Sequence, residues 1–274
     1  MSRFIKPLQE FLTSKKDFSI VYSSNSVGSL ITNQTERICV LDSSFNPPHL
    51  AHYALIEESL NTKHDNIPIE NKSILLLLSV KNADKIHPQP ESFDKRLEMM
   101  YFMANHLTKN YPINVSIGIT NHAKFVDKSL SILNFLESQK ITIHTGFKLT
   151  FLIGFDTLIR IFDPRYYLPD KLSNSLDHFM KMTDLFCLTR PTDEINVLQQ
   201  PNYVKEIASG KHEEIPSSWS NSIFLLKDLN EKLAQISSSS IRKSIINGDN
   251  KDWELQVIPE IRDYIIENKL YQTK

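Results

Sequence analysis

Glycine is scarce, with six in 274 residues where average usage near 7% would supply roughly 19. The six stand far apart, at Gly28, Gly118, Gly146, Gly154, Gly210 and Gly248. Neither a Walker A loop nor a GxGxxG turn can be built, because both need glycines a few residues apart. Cysteine is scarcer still. Cys39 and Cys187 each lie in an apolar run, the setting of buried free thiols in strands, which argues against a disulfide framework and for a reducing compartment. Long hydrophobic runs are missing. The run 74–78 falls far below the ~18 residues that span a bilayer, which predicts a soluble chain, with the cytoplasm and also the nucleus as expected locations. Excess charge is absent too, since 31 Lys and Arg face 32 Asp and Glu. The resulting net charge of −1 offers no basic field for non-specific nucleic-acid binding and leaves any phosphate ligand to local groups.

A chain of this length can bury roughly three-quarters of its unfolded surface without disulfides or metals, as one full-sized domain with appendages. From Arg37 onward, short apolar runs rich in β-branched residues alternate with longer amphipathic segments. The strand candidates are 38–41, 74–80, 113–117, 149–153, 185–188 and 223–226. Between them, 49–60, 93–107, 128–137 and 156–162 carry apolar residues at three and four spacing, the mark of amphipathic helices. This alternation predicts βαβ units and hence an α/β fold, a Rossmann-like doubly wound parallel sheet with helices on both faces. Residues 37–274 read as that domain and residues 1–36 as an N-terminal extension. In the extension, Phe4, Ile5, Leu8, Phe11 and Leu12 predict a short amphipathic helix, and Lys6, Pro7, Gln9 and Glu10 break up any signal-peptide core. The polar remainder predicts a hairpin of 18–22 against 27–31.

Ligands of such sheets bind beyond the carboxyl ends of the strands, where strand order switches. The segment Asp42-Ser-Ser-Phe-Asn-Pro-Pro-His-Leu-Ala-His52 directly follows the first core strand. Its Asn46-Pro47-Pro48 forces a turn, and a helix begins near His49. Histidines three apart in a first helical turn project to one side, beside the positive end of the helix dipole. Two imidazoles, a helix terminus and a hydroxyl-bearing turn make a phosphate cradle that needs no glycine-rich loop. Near the other end of the chain, Ile236-Ser-Ser-Ser-Ser-Ile-Arg242 by itself reads as a linker with a capping serine.

The first segment resembles the (G)SFNPPHxxH signature of the nucleotidylyltransferase superfamily, which includes the nicotinamide-mononucleotide adenylyltransferases. The second resembles that group's ISSTxIR motif, with Ser239 in place of Thr. Three further segments are similar to elements of the adenylyltransferases. Phe151-Leu-Ile-Gly-Phe-Asp-Thr-Leu158 looks like their LxxGxD element, Leu185-Phe-Cys-Leu-Thr-Arg190 like a strand ending in Arg, and Lys81-Asn-Ala-Asp-Lys85 like a phosphate-binding Lys loop. The resemblance spans about 38–271 and is nearest in style to a divergent fungal branch, the promoter-of-filamentation type. It implies transfer of AMP from ATP to nicotinamide mononucleotide, giving NAD and pyrophosphate, with Mg2+ as the cofactor carried by ATP; the balanced charge and short apolar runs separately predict neither nucleic acid nor membrane as a partner. It makes His49, His52 and Arg242 catalytic. It gives substrate binding to Ser43, Ser44, Phe45, Lys85, Gly154, Asp156, Tyr167, Arg190, Ser238 and Ser239, with Tyr167 and its neighbour Tyr166 offering a stacking face to nicotinamide. No metal ligand is expected from the protein itself.

The chain departs from the pattern in three places. Ser43 stands where the signature opens with glycine, and Ala51 stands between the two histidines where glycine is usual. A Cβ at position 43 would crowd a phosphate approaching the backbone N–H. Thr120-Asn-His-Ala-Lys-Phe125 replaces a tryptophan-bearing loop. These departures sustain two alternatives. One is a nucleotide-binding regulator with weak or no transferase activity and slow ATP hydrolysis, and the other a sister nucleotidylyltransferase with a different phosphate acceptor.

Overall fold

The structure is a computed structural model and describes residues 2–62, 64–80, 90–139, 145–189, 199–226, 231–248 and 252–272. In chain order its elements are α1 (Ile5–Thr13), β1 (Phe18–Ser23), β2 (Arg37–Asp42), α2 (Leu50–Asn61), β3 (Lys72–Ser79), α3 (Phe93–Asn110), β4 (Asn114–Thr120), α4 (Phe125–Ser138), β5 (Lys148–Gly154), α5 (Phe155–Ile161), α6 (Leu172–Met182), β6 (Thr183–Leu188), α7 (Gln200–Ala208), β7 (Ile223–Leu226), α8 (Glu231–Ala234), α9 (Ser238–Asn247) and α10 (Pro259–Glu267). The strands form a 7-stranded sheet in the order β1-β4-β3-β2-β5-β6-β7. All pairs are parallel except β1 with β4.

Strands covered on both faces are apolar at successive positions, and alternate residues then serve opposite layers. Cys39, Leu41, Ile74 and Leu76 join one apolar cluster with Ile56 of α2, Met99 of α3 and Ile261 of α10. Ile38, Val40, Leu75 and Leu77 join the other with Ile132 of α4, Leu158 of α5, Leu176 of α6 and Ile207 of α7. Helices therefore cover both faces, and the chain has the Rossmann-like α/β fold that its periodicity predicts. Both cysteines are buried and neither is in a disulfide, and burial pushes the Cys39 thiol up to about 11. Among the described residues no helix is long and apolar enough to cross a membrane.

The first 36 residues contribute to the same core. Phe4 and Phe11, which flank and line α1, are buried in the cluster that holds α3. The expected hairpin does not form. β1 instead pairs antiparallel with β4, from Phe18↔Thr120 to Ser23↔Ser116, and 27–31 is not a strand. The reason is local hydrogen bonding, which competes with a ladder. Asn25 Nδ2 donates to the Ser29 carbonyl at 2.7 Å, and Asn114 Nδ2 donates to the carbonyls of Ser29 and Leu30 at 3.0 and 2.8 Å. Gly118 is what lets β1 approach, since a Cβ there would stand 2.8 Å from the Phe18 ring.

Strand order fixes where a ligand would sit. β3 and β4 lie on one side of β2, and β5, β6 and β7 on the other, so the switch falls between β2 and β5. Their pairing runs from Arg37↔Lys148 to Leu41↔Leu152, which brings Ser43 level with Gly154 at the carboxyl edge. A crevice at such a switch point is the usual nucleotide site of doubly wound sheets.

Candidate active site

The turn after β2 stands on one side of the switch point. β2 ends on Asp42, whose Oδ2 accepts from Lys128 Nζ of α4 at 2.5 Å; their side chains are 11% and 5% exposed. Phe45 then adopts a positive φ of 45°, which costs a non-glycine residue roughly 1–2 kcal/mol. Complete burial of its ring holds it there, and that ring lies 5.4 Å from the imidazole of His52. His49 caps α2 and stacks on His52 at 3.7 Å. The backbone N–H of His49 donates to His52 Nδ1 at 3.2 Å, and His52 Nε2 is 2.9 Å from Ser43 Oγ. His49 is buried, Ser43 and His52 are half-buried, and Ser44 is exposed. The helix terminus contributes less than its position suggests, because the N–H of Leu50 is already taken by the Gln256 carbonyl at 2.8 Å.

The serine run near the C-terminus is no linker. Ser237 caps α9, its Oγ accepting the Ser240 N–H at 3.1 Å, so the run forms the first turn of that helix. Gly248, in the left-handed region at φ 65°, closes the same helix. α9 docks on the first motif through backbone acceptors. Ser238 Oγ donates to the Pro47 carbonyl at 2.8 Å, and Arg242 Nη1 donates to the Asn46 carbonyl at 2.7 Å while its Nη2 donates to Ser239 Oγ at 3.1 Å. Carbonyls exposed by a proline-rich turn need donors, and a guanidinium offers five in a rigid fork. Ser239 is exposed. Arg96 of α3 is buried close by. Burial lowers its pKa, the Tyr271 hydroxyl acts in the opposite sense, and the like charge of Arg242 lowers it further.

The other side of the switch point follows β5. Gly154 caps α5, and Asp156 lies in that helix's first turn, one-third exposed and paired with Arg160 at 3.1 Å. Tyr167 is half-buried, its hydroxyl donating to the Ile161 carbonyl at 2.8 Å. Burial pushes that phenol up to about 12. Lys124, the residue before α4, holds its ammonium 5.7 Å from the Tyr167 ring and donates to the Tyr166 carbonyl at 2.8 Å. Tyr166 itself is 52% exposed. Lys81, Lys85 and Arg190 lie outside the described residues.

The structure thus brings together Ser43, Phe45, His49, His52, Ser238, Ser239 and Arg242 around the turn after β2, with Gly154 across the switch point and Asp156 just beyond it. Among the described residues no group of three or more His, Cys, Asp or Glu could hold a metal ion. Asp42 is paired with Lys128 and Asp156 with Arg160, a donor set that fits a cation arriving on a ligand better than one caged by the protein. Two participants escape sequence reasoning. Lys128 carries no motif, although an aspartate ending an apolar strand calls for a buried cation. Tyr271 closes the chain's last apolar segment, and only the fold reveals that its hydroxyl donates to Asn46 Oδ1 at 2.9 Å.

No family model matches the chain. A protein of Schizosaccharomyces pombe named "Putative nicotinamide mononucleotide adenylyltransferase" is 36% identical over 223 residues, 81% of this chain and 81% of that one. Among solved structures, Plasmodium falciparum nicotinic acid mononucleotide adenylyltransferase complexed with NaAD is similar at a TM-score of 0.52 and 19% identity, over 86% of this chain and 97% of that chain. The same enzyme complexed with APC gives 0.50 and 18% over the same shares. At those identities the structural likeness is one of fold.

Proposed function

The chain belongs to the nicotinamide mononucleotide adenylyltransferase family, and on that premise we propose that it transfers the adenylyl group of ATP to nicotinamide mononucleotide, releasing pyrophosphate and forming NAD. The observation that carries this reading is the meeting of two distant motifs, with Arg242 of α9 hydrogen-bonded to Asn46 at 2.7 Å beside the stacked pair His49 and His52. A scaffold would not need a guanidinium, two imidazoles and serine hydroxyls gathered at a strand switch point.

In this mechanism an oxygen of the mononucleotide phosphate attacks the α-phosphorus of ATP in line, with no covalent enzyme intermediate. Catalysis of such transfers rests on positioning and on neutralising charge at the phosphoryl oxygens. His49 binds those oxygens at the reacting centre, and His52, stacked on it, acts there through its hydrogen-bonded neighbour Ser43. Arg242 keeps donors beyond the two it gives to Asn46 and Ser239, and these face the outer phosphates of the triphosphate. Asp156 and the backbone at Gly154 hold nucleotide ribose, and Tyr167 packs against the acceptor base. Mg2+ enters with the triphosphate as part of the substrate and supplies charge neutralisation there. The test is direct. Purified protein with ATP, Mg2+ and nicotinamide mononucleotide forms NAD, and His52→Ala lowers turnover by about 10²-fold, the scale of losing one preorganised donor. NAD formation by His52→Ala at the wild-type rate removes His52 from the mechanism.

A further inference from the structure

The serine that replaces the signature glycine is wired to a histidine. A backbone N–H can only donate, so the 3.2 Å contact from His49 N makes Nδ1 of His52 an acceptor. The ring proton of the neutral imidazole is then on Nε2, and Nε2–H donates to Ser43 Oγ at 2.9 Å. Ring contacts with His49 and Phe45 fix the orientation of the imidazole. The N–H of Ser43 is itself engaged, donating to the Leu77 carbonyl at 3.3 Å in continuation of the sheet. Position 43 therefore offers a ligand its side chain. With Oγ accepting from His52, the Ser43 hydroxyl proton has no acceptor among the described residues. It sits, half-buried, at the carboxyl edge of β2 level with Gly154.

We propose that Ser43 is a catalytic residue through which His52 acts, its hydroxyl donating a hydrogen bond to a non-bridging oxygen of the transferred phosphoryl group. This rests on the adenylyl-transfer reading. The acceptor phosphate oxygen forms a bond to the α-phosphorus, the bond from that phosphorus to the bridging oxygen breaks, and its electron pair leaves with pyrophosphate. No proton changes owner at Ser43 or His52. The imidazole polarises the hydroxyl, and the strengthened hydrogen bond meets the charge that grows on the phosphoryl oxygen. The serine thus supplies a donor where a backbone N–H is turned into the sheet.

A double-mutant cycle tests this. Ser43→Ala is expected to lower kcat by about 10²-fold with ATP affinity within a few-fold of wild type. Ser43→Ala combined with His52→Ala is expected to be no slower than the slower single variant, because groups acting in series are not additive. Ser43→Gly, which restores the signature residue, serves if the alanine variant does not fold, and the same loss is expected. Wild-type or faster turnover by either variant, or losses that multiply in the double variant, overturns the proposal while the adenylyl-transfer reading stands. A wild-type protein that binds ATP but forms no dinucleotide overturns both.

Discussion

The hydroxyl of Tyr271 donates to Oδ1 of Asn46 at 2.9 Å across 225 positions of sequence, so the chain's last apolar residue holds the turn of its first motif. The phenol is buried, its pKa raised chiefly by that burial, and its backbone N–H is tied to Glu91 Oε1 at 3.1 Å. Tyr271→Phe keeps the ring and removes the one donor. It should destabilise the protein by about 1–2 kcal/mol and raise the KM for ATP, read by urea unfolding and steady-state kinetics. Unchanged stability and kinetics would mean that the turn holds itself.

Arg242 is bound to the same turn, and its planar fork reaches Asn46 and Ser239 together. Arg242→Ala should weaken ATP binding. Arg242→Lys should recover little of it, since a point charge cannot bridge two acceptors in that geometry. Calorimetric titration with ATP measures both, and wild-type affinity in either variant contradicts the role given to the guanidinium.

The pair Asp42–Lys128 joins the end of β2 to α4 in a nearly water-free setting. Removing one partner leaves a buried charge, which costs about 3–5 kcal/mol. Lys128→Met should therefore lower the urea midpoint sharply, and Asp42→Asn combined with Lys128→Met should restore much of the loss. Additive losses in the double variant would show that the pair is not coupled.

The fold was legible because central parallel strands must be apolar on both sides, and runs such as Ile74 to Leu78 have no other use. The first motif was legible because prolines announce a turn and paired histidines sit directly after a strand. Other parts depend on contacts that no local pattern encodes. β1 was visible as a strand, but its partner was not, because Asn114 and Asn25 claim the carbonyls that a hairpin would have used. Lys128 and Tyr271 lie 86 and 225 positions from their partners, beyond the reach of helix or strand periodicity. Ser43 reads in sequence as a crowded glycine position, whereas in the fold its N–H is already used and its hydroxyl meets His52.

At the opposite edge of the sheet, near the starts of β2 and β3, His64 lies between the rings of Phe186 and Phe224, at 4.8 and 5.1 Å. Its Nε2 is 3.4 Å from Asp65, which also meets Lys72 at 3.1 Å and Arg37 at 3.7 Å. Burial lowers the His64 pKa; Asp65 pulls it up, while Lys72 and Arg37 push it down. An unfolded histidine titrates near about 6.5, so just below that pH the unfolded chain binds more protons than the folded one. The stability that neutral His64 contributes is present above about 6.5 and is lost as pH falls toward its folded value. Urea midpoints of wild type should therefore drop more steeply on acidification from about 7.5 to 5.5 than those of His64→Gln. An equal or shallower drop in wild type contradicts the lowered pKa.

Adenylyl transfer at the switch point releases one pyrophosphate for each dinucleotide formed, and both products can be followed at once. Purified protein is given ATP, Mg2+ and, in separate reactions, a panel of mononucleotides, with pyrophosphate and dinucleotide measured together. The expected result is pyrophosphate and NAD in equal amounts with nicotinamide mononucleotide, and loss of both in the His49→Ala, His52→Ala double variant. Saturable ATP binding with no dinucleotide from any mononucleotide would contradict adenylyl transfer by this chain.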